Sequence, residues 1–247
     1  MEIDEFLELV RKRRSIRRFK PNPIPDAWVD KILEAGRWAM SGANAQPWEF
    51  IVVKDQETKN KMASVWLELR GESDVIETTR VKELRHAQHA RPHVLPSFKD
   101  APVLIVVCGD RRTYQATVLA TNYIGGEGGP GATYLKSMAN ATQNMHLAAA
   151  ALGVGSQWYS VNRLWEQSLR VILDVPPVLE IHTVVVVGYP AYEPPPPYRR
   201  ELKEIVHFEK YDRSKYRSGD DIIKFIRNLR HHLRKQTEPA YEQPSSF

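Results

Sequence analysis

The sequence predicts an α+β protein, with a small set of buried strands among a larger number of helices. Two observations carry that reading. Short apolar runs at residues 48–54, 101–108 and 181–188, with a briefer one through Trp158, have the length of buried strands. The stretches between them are longer and carry apolar residues at three- and four-residue spacing, which suits helices.

Taken in order, residues 2–13 alternate acidic and apolar positions and place Ile3, Phe6, Leu7 and Val10 on one helical face. Asp26 is positioned to cap a helix carrying Trp28, Ile32, Leu33 and Ala35. A strand follows over 48–54. Residues 59–70 and 74–90 read as two polar helices, and Pro92 and Pro96 end that pattern. Residues 101–108 form a buried strand, and residues 124–131 form a glycine-rich loop. An alanine-rich helix spans 132–152, stops at Gly153 and Gly155, and gives way to the short strand through Trp158. Residues 161–173 form a helix ended by Pro176 and Pro177, and 181–188 form the third buried strand. Pro194–Pro197 is a stiff extended segment, after which a polar tail carries one helix at 220–235.

At 247 residues, with 42% hydrophobic and 26% charged side chains, the chain can bury a sizeable core in one large domain or two small ones. Glu2, Asp4, Glu5 and Glu8 are the reverse of a secretory leader, and no apolar run has the length of a membrane span. A single Cys108 excludes an intrachain disulfide and a cysteine-cluster metal site. The expectation is a soluble, cytoplasmic protein with no membrane partner. A net charge of +5 admits nucleic acid, an anionic surface or a phosphorylated ligand. Much of the excess sits at residues 11–20 and around 224–235, which favours local sites over a uniformly basic face, so no nucleic-acid partner is expected. His86, His89 and His93 share helical spacing, but Pro92 interrupts the helix and neither cysteine nor acid joins them, so no metal is expected. Gly125–Gly131 lacks the Gly-Lys-Ser/Thr ending of a P-loop.

The cationic segment is the most informative. Seven of the ten residues from Arg11 to Lys20 are Arg or Lys, in the pattern Arg13-Arg14-Ser15-Ile16-Arg17-Arg18-Phe19. Such a run can surround a phosphate with charge-assisted donors. Further on, Ser41-Gly42-Ala43-Asn44-Ala45-Gln46-Pro47-Trp48-Glu49-Phe50 is a small polar turn running into an apolar strand. Then come Ala141-Thr142-Gln143-Asn144-Met145, Ala151-Leu152-Gly153-Val154-Gly155-Ser156-Gln157-Trp158, Val187-Gly188-Tyr189-Pro190 and Arg199-Arg200-Glu201-Leu202. In this order, over residues 5–207, these segments resemble the nitroreductase family, flavin enzymes that bind FMN at a homodimer interface. The resemblance implies a nitroreductase-like α-β-α sandwich, with a central, mostly antiparallel sheet flanked by helices. It also implies a homodimer with an extended C-terminal arm. Residues 1–207 would be the FMN-binding domain, and 208–247 a polar C-terminal extension with one helix that packs on the dimer.

The resemblance assigns Arg13, Ser15 and Arg17 to the FMN phosphate and ribityl chain, with Arg14 alongside through its backbone. Arg199 would close over the same phosphate. Met40, Ser41, Gly42 and Asn44 occupy the turn that contacts the flavin from the opposite protomer; where many relatives carry proline and serine, this chain has Met40 and Gly42. Trp158, Tyr159 and Ser160 would lie against the isoalloxazine. Gln143 and Asn144 read as satisfied interface amides, and Gln46-Pro47-Trp48 as a structural support for the strand. Since FMN carries the redox chemistry, no side chain is expected as an indispensable acid or base. The expected activity passes hydride from NAD(P)H through FMN to an electron-poor acceptor, such as a nitroaromatic or quinone, in a ping-pong cycle. Residues 70–97, with 109–131, would cover the pocket and set specificity.

Other branches are implied more weakly. Relatives of 5,6-dimethylbenzimidazole synthase, which fragments reduced flavin, share Arg-Arg-x-x-Arg-Arg-Phe and a serine matching Ser160, but place an aspartate where Ser15 stands. Reductive dehalogenases resembling iodotyrosine deiodinase supply Glu, Tyr and Lys from a lid; residues 70–97 offer Glu72, Glu77, Glu83 and Lys82 but no tyrosine. A non-catalytic flavin- or nucleic-acid-binding protein is the reading from another class. For nucleic acid its one basic candidate is the helix at 220–235, with Lys224, Arg227, Arg230 and Arg234.

Overall fold

The computed structural model describes residues 2–79, 96–116 and 130–229. The chain divides into two compact units, Met1–Pro194 and Pro195–Phe247. The division falls inside the proline run, ahead of the boundary at 207/208 expected from the sequence.

The first unit is built on a four-stranded sheet: β1 (Trp48–Val53), β2 (Val103–Asp110), β3 (Gly155–Ser160) and β4 (Leu179–Gly188), in the order β1-β2-β4-β3. All three pairings are antiparallel. The two central strands carry continuous apolar runs, 103–108 and 184–187, because both of their faces are buried there. In β2, Leu104, Val106 and Cys108 enter one core cluster, while Ile105 and Val107 enter the other. β4 divides Val184 and Val186 from Val185 and Val187 in the same way.

Helices cover both faces and make the expected α-β-α sandwich. In chain order they are α1 (Ile3–Lys12), α2 (Asp26–Arg37), α3 (Gln56–Thr78), α4 (Arg112–Gln115), α5 (Pro130–Ala151) and α6 (Arg163–Ile172). One core cluster takes Met62 and Ala63 from α3 with Trp165 and Leu169 from α6. The other takes Val29 and Ile32 from α2 with Met138, Ala141 and Met145 from α5. No helix among the described residues is long and apolar enough to cross a membrane.

Several boundaries differ from the sequence reading, each for a local reason. Pro25, not Asp26, caps α2; Asp26 is the first helical residue, and its carboxylate pairs with Lys54 at 2.7 Å. The two polar helices are one through Thr78, because an isolated Gly71 does not stop a helix. It starts earlier than expected because Asp55 caps it, accepting the Thr58 N–H at 2.7 Å. Likewise Asn162 caps α6 by accepting the Trp165 N–H at 2.9 Å. His86, His89 and His93, and most of the glycine-rich loop, lie outside the described residues.

The chain after α1 is not a regular strand, yet it is tied along the margin of the sheet. The Ile16 N–H donates to the Ser156 carbonyl at 2.9 Å, the Lys20 N–H to Tyr189 at 2.9 Å, and the Ala191 N–H to Arg18 at 3.0 Å. Ser15 bridges Ser156 in parallel sense and Phe19 bridges Pro190 in antiparallel sense. Ile16 and Phe19 are buried and pin the segment to the core, while Arg17, Arg18 and Lys20 stay exposed. The close approach requires glycine at 155, where a Cβ would lie 2.5 Å from Ile16 Cγ1 and 3.1 Å from Pro190 Cγ.

The second unit contains α7 (Leu202–Ile205), a 3-10 turn at Arg213–Lys215 and a helix over 219–229. The Phe225 ring is its anchor, with the Arg217 guanidinium 4.3 Å over it and Tyr198 at 6.1 Å.

Gly155→Ala should destabilise the protein by about 1–3 kcal/mol through overpacking against Ile16. Thermal unfolding beside Gly219→Ala, where nothing lies within 4 Å of the added Cβ, checks this. Equal melting temperatures for both variants and wild type would show that the notch is not needed.

Candidate functional site

The tie between residues 13–20 and β3 sets the first half of the site. Arg14 turns its guanidinium back onto the carbonyls of Arg11 and Arg13, the latter at 3.1 Å. The Arg18 guanidinium lies 4.9 Å over the Tyr192 ring. Arg17 is held only through its backbone: its N–H donates to Tyr192 Oη at 3.4 Å and its carbonyl accepts from Ser97 Oγ. Its guanidinium, like the Ser15 hydroxyl, has no hydrogen-bond or ion-pair partner among the described residues. The main chain is thus fixed while a planar cation and a hydroxyl remain available as donors. That donor set fits a phosphate, which needs several charge-assisted bonds to replace its hydration.

Behind this segment lies His146, which sequence reasoning missed. Its ring is 4% exposed, with Nδ1 2.7 Å from Ser156 Oγ, the residue whose carbonyl holds Ile16. The ring stacks on Trp158 at 6.1 Å and 23°. Burial first, and the nearby Arg13 charge second, lower its pKa to about 4, so the ring is neutral at pH 7. Nε2 is buried without a partner among the described residues. Placing the ring proton on Nδ1 leaves Nε2 a bare lone pair, a smaller penalty than a buried N–H without an acceptor. The available signal was a histidine in an alanine-rich helix ten residues before Ser156.

β3 sends its side chains to alternate faces. Trp158 is 39% exposed, and Ser160 is exposed at the strand end. The Tyr159 ring enters the core against Phe98 at 5.0 Å and Trp66 at 6.4 Å, so this residue offers a ligand only its backbone. Its carbonyl already accepts from Thr183 Oγ1 at 2.7 Å.

The second half of the site is the turn from Met40 to Gln46, where Ala43, Asn44 and Gln46 have φ of 51°, 53° and 45°. Non-glycine residues there cost on the order of 1 kcal/mol each. Ser41 Oγ accepts the Gln46 N–H at 3.0 Å. From α5, Asn140 donates to the Met40 carbonyl at 3.1 Å; the Gly42 N–H points at Tyr114 Oη and Ser137 Oγ, at 3.1 and 3.3 Å. Asn144 is satisfied by the Ala35 carbonyl at 3.0 Å, and Gln143 is exposed. The turn is therefore anchored near residues 137–140 of α5 and the cationic segment near His146. Nine residues separate Ser137 from His146, about 14 Å along the helix axis. Arg199 belongs to the second unit, where its guanidinium donates to the Tyr198 carbonyl at 2.8 Å.

The depressed His146 pKa has a consequence for stability. Its folded value of about 4 lies below the unfolded value near 6.5, so the unfolded chain binds the extra proton first. Stability is full above about pH 6.5 and falls as pH drops toward 4, by up to about 3 kcal/mol. His146→Gln, which keeps a donor for Ser156 but cannot titrate, should flatten that part of the melting-temperature curve. Superimposable curves for variant and wild type would refute this assignment.

Comparison with known proteins agrees with the fold. The Nitroreductase family profile matches residues 10–189. Over 193 residues the chain is 31% identical to an Archaeoglobus fulgidus protein provisionally named NADH dehydrogenase/NAD(P)H nitroreductase, spanning 77% of this chain and 88% of that one. It is 29% identical over 190 residues to a 5,6-dimethylbenzimidazole synthase of Rhodospirillum rubrum, spanning 77% and 84%. A Desulfovibrio desulfuricans structure, provisionally a nitroreductase and solved with FMN, aligns with a TM-score of 0.57 at 27% identity, covering 84% and 98%. The chain belongs to the nitroreductase family.

Proposed function

We propose that the protein is an FMN-dependent oxidoreductase that uses NAD(P)H to reduce an electron-poor organic acceptor, such as a nitroaromatic or quinone, in a ping-pong cycle. The observation that carries this reading is the segment Arg13–Arg17, fixed by its main chain to β3 while Arg17 and Ser15 keep their donors uncommitted. Bound FMN supplies the hydride chemistry, so the chain needs no nucleophile or triad.

The residues then divide the work. Arg13 and Arg17 neutralise the phosphate and Ser15 donates to it or to the ribityl chain, while Arg14 contributes through its main chain. By its place in the family pattern, Arg199 is assigned to the same phosphate. Trp158 and Ser160, with the Tyr159 backbone, line the ring. Met40, Ser41, Gly42 and Asn44 serve the flavin of a second protomer, which accords with the different heights at which the turn and the cationic segment meet α5. α1 favours the same arrangement. It buries none of its residues, and its Ile3, Leu7 and Val10 face remains exposed together with Trp38 and Met40. Such apolar surface is what a two-fold interface covers. The segments expected to cover the open ring face, 70–97 and 109–131, lie mostly outside the described residues, and we propose that they select the acceptor. We place the protein in the cytoplasm. Of the alternatives, flavin fragmentation is disfavoured by Ser15 in the place of an aspartate, and dehalogenation by the lack of tyrosine in 70–97.

The purified protein should be yellow, and NADH or NADPH should bleach its flavin under anaerobic conditions. Arg17→Ala should weaken FMN by about 1.5–3 kcal/mol, measured by quenching of flavin fluorescence. Wild-type affinity in that variant would contradict the phosphate assignment. Sedimentation should show a dimer; a monomer that still holds FMN would remove the two-protomer site.

A further inference from the structure

The strained turn is held from below by two buried hydroxyls. Tyr114, from α4, is 1% exposed, and Ser137, from α5, is 2% exposed. Their oxygens lie 2.5 Å apart, and both face the Gly42 N–H. Ser137 Oγ also lies 2.9 Å from the Thr133 carbonyl, which can only accept. The Gly42 N–H donates to the tyrosine oxygen, with a longer branch to the serine. The hydroxyl pair thus connects the Gly42 amide to the α5 backbone, and bonds in such a connected set polarise one another.

The tyrosine is itself braced. Its ring meets the Tyr134 ring edge-on at 5.7 Å, and Tyr134 Oη lies 2.9 Å from His182 Nε2. Glycine at 109 makes room for that hydroxyl, since a Cβ there would lie 2.2 Å from it. The brace holds the Tyr114 oxygen where Gly42 needs it.

We propose that Tyr114 and Ser137 are positioning residues that set the Met40–Gln46 turn in its flavin-binding conformation before the flavin arrives. The inference rests on the reading above, in which this turn meets the cofactor. Both side chains lie beneath the turn and act through Gly42, so their effect is preorganisation. A turn that is already left-handed at Ala43, Asn44 and Gln46 does not have to be ordered by the ligand.

The test uses Tyr114→Phe, Ser137→Ala, the double variant and Ser137→Thr in the full-length protein. FMN affinity is read by fluorescence quenching, and hydrogen exchange at the Gly42 amide is read in FMN-free protein. Each single removal should raise the FMN Kd about three- to ten-fold and speed Gly42 exchange by a similar factor. The double variant, which leaves the Gly42 amide neither acceptor, should lose more than either single. Ser137→Thr, which restores the hydroxyl, should return close to wild type. Wild-type affinity and wild-type Gly42 exchange in the single variants would overturn the proposal, as would a double variant no worse than wild type. If the wild-type protein binds no FMN, the functional reading fails instead, and Gly42 exchange alone then decides whether the pair orders the turn.

Discussion

A single main-chain contact, the Ile16 N–H on the Ser156 carbonyl at 2.9 Å, organises the site. It fixes where the cationic segment crosses the end of the sheet, and Gly155 permits it by leaving room for the Ile16 side chain. Ile16 and Phe19 enter the core, so the cations between and around them are presented on a backbone that cannot drift. Ser156 is held in turn by His146, and His146 is covered by Trp158. One glycine, one serine and a buried imidazole thus connect the interior of α5 to a surface of concentrated positive charge.

That charge carries an electrostatic cost. Arg13, Arg14, Arg17 and Arg18 crowd one short segment, and Arg13 already opposes protonation of His146. Like charges held on a fixed backbone repel, and a dianionic ligand relieves the repulsion while gaining charge-assisted bonds. Ligand binding and folding stability are therefore linked at this site, and occupancy should raise resistance to unfolding. Not every cation is available: the Arg14 and Arg18 guanidinium groups are spent on local carbonyls and on the Tyr192 ring. Seven cations in ten residues do not mean seven ligand contacts; packing decides which are free.

Much of the fold was legible because its central strands are buried on both faces. The strands at 101–108 and 181–188 were therefore visible as short, largely apolar runs, and the alanine-rich periodicity of α5 was equally plain. Helix starts were less legible, since Asp26 and Asp55 look alike in sequence while only Asp55 takes the capping position. The cationic half of the site was visible because charge density survives without structure. Tyr114, Ser137 and His146 were not, because each is a lone polar residue whose role depends on partners far away in the chain. Nothing in the residues around Tyr114 announces that its hydroxyl meets Gly42.

The most direct test of this account is to follow backbone amide resonances of the isotope-labelled protein during titration with FMN. The account predicts saturable perturbations at Ser15, Ile16 and Arg17, at Trp158 through Ser160, and at Gly42 through Asn44, all with one dissociation constant. Perturbations confined to the second unit, around Arg200 and Lys215, with residues 13–17 unmoved, would contradict it.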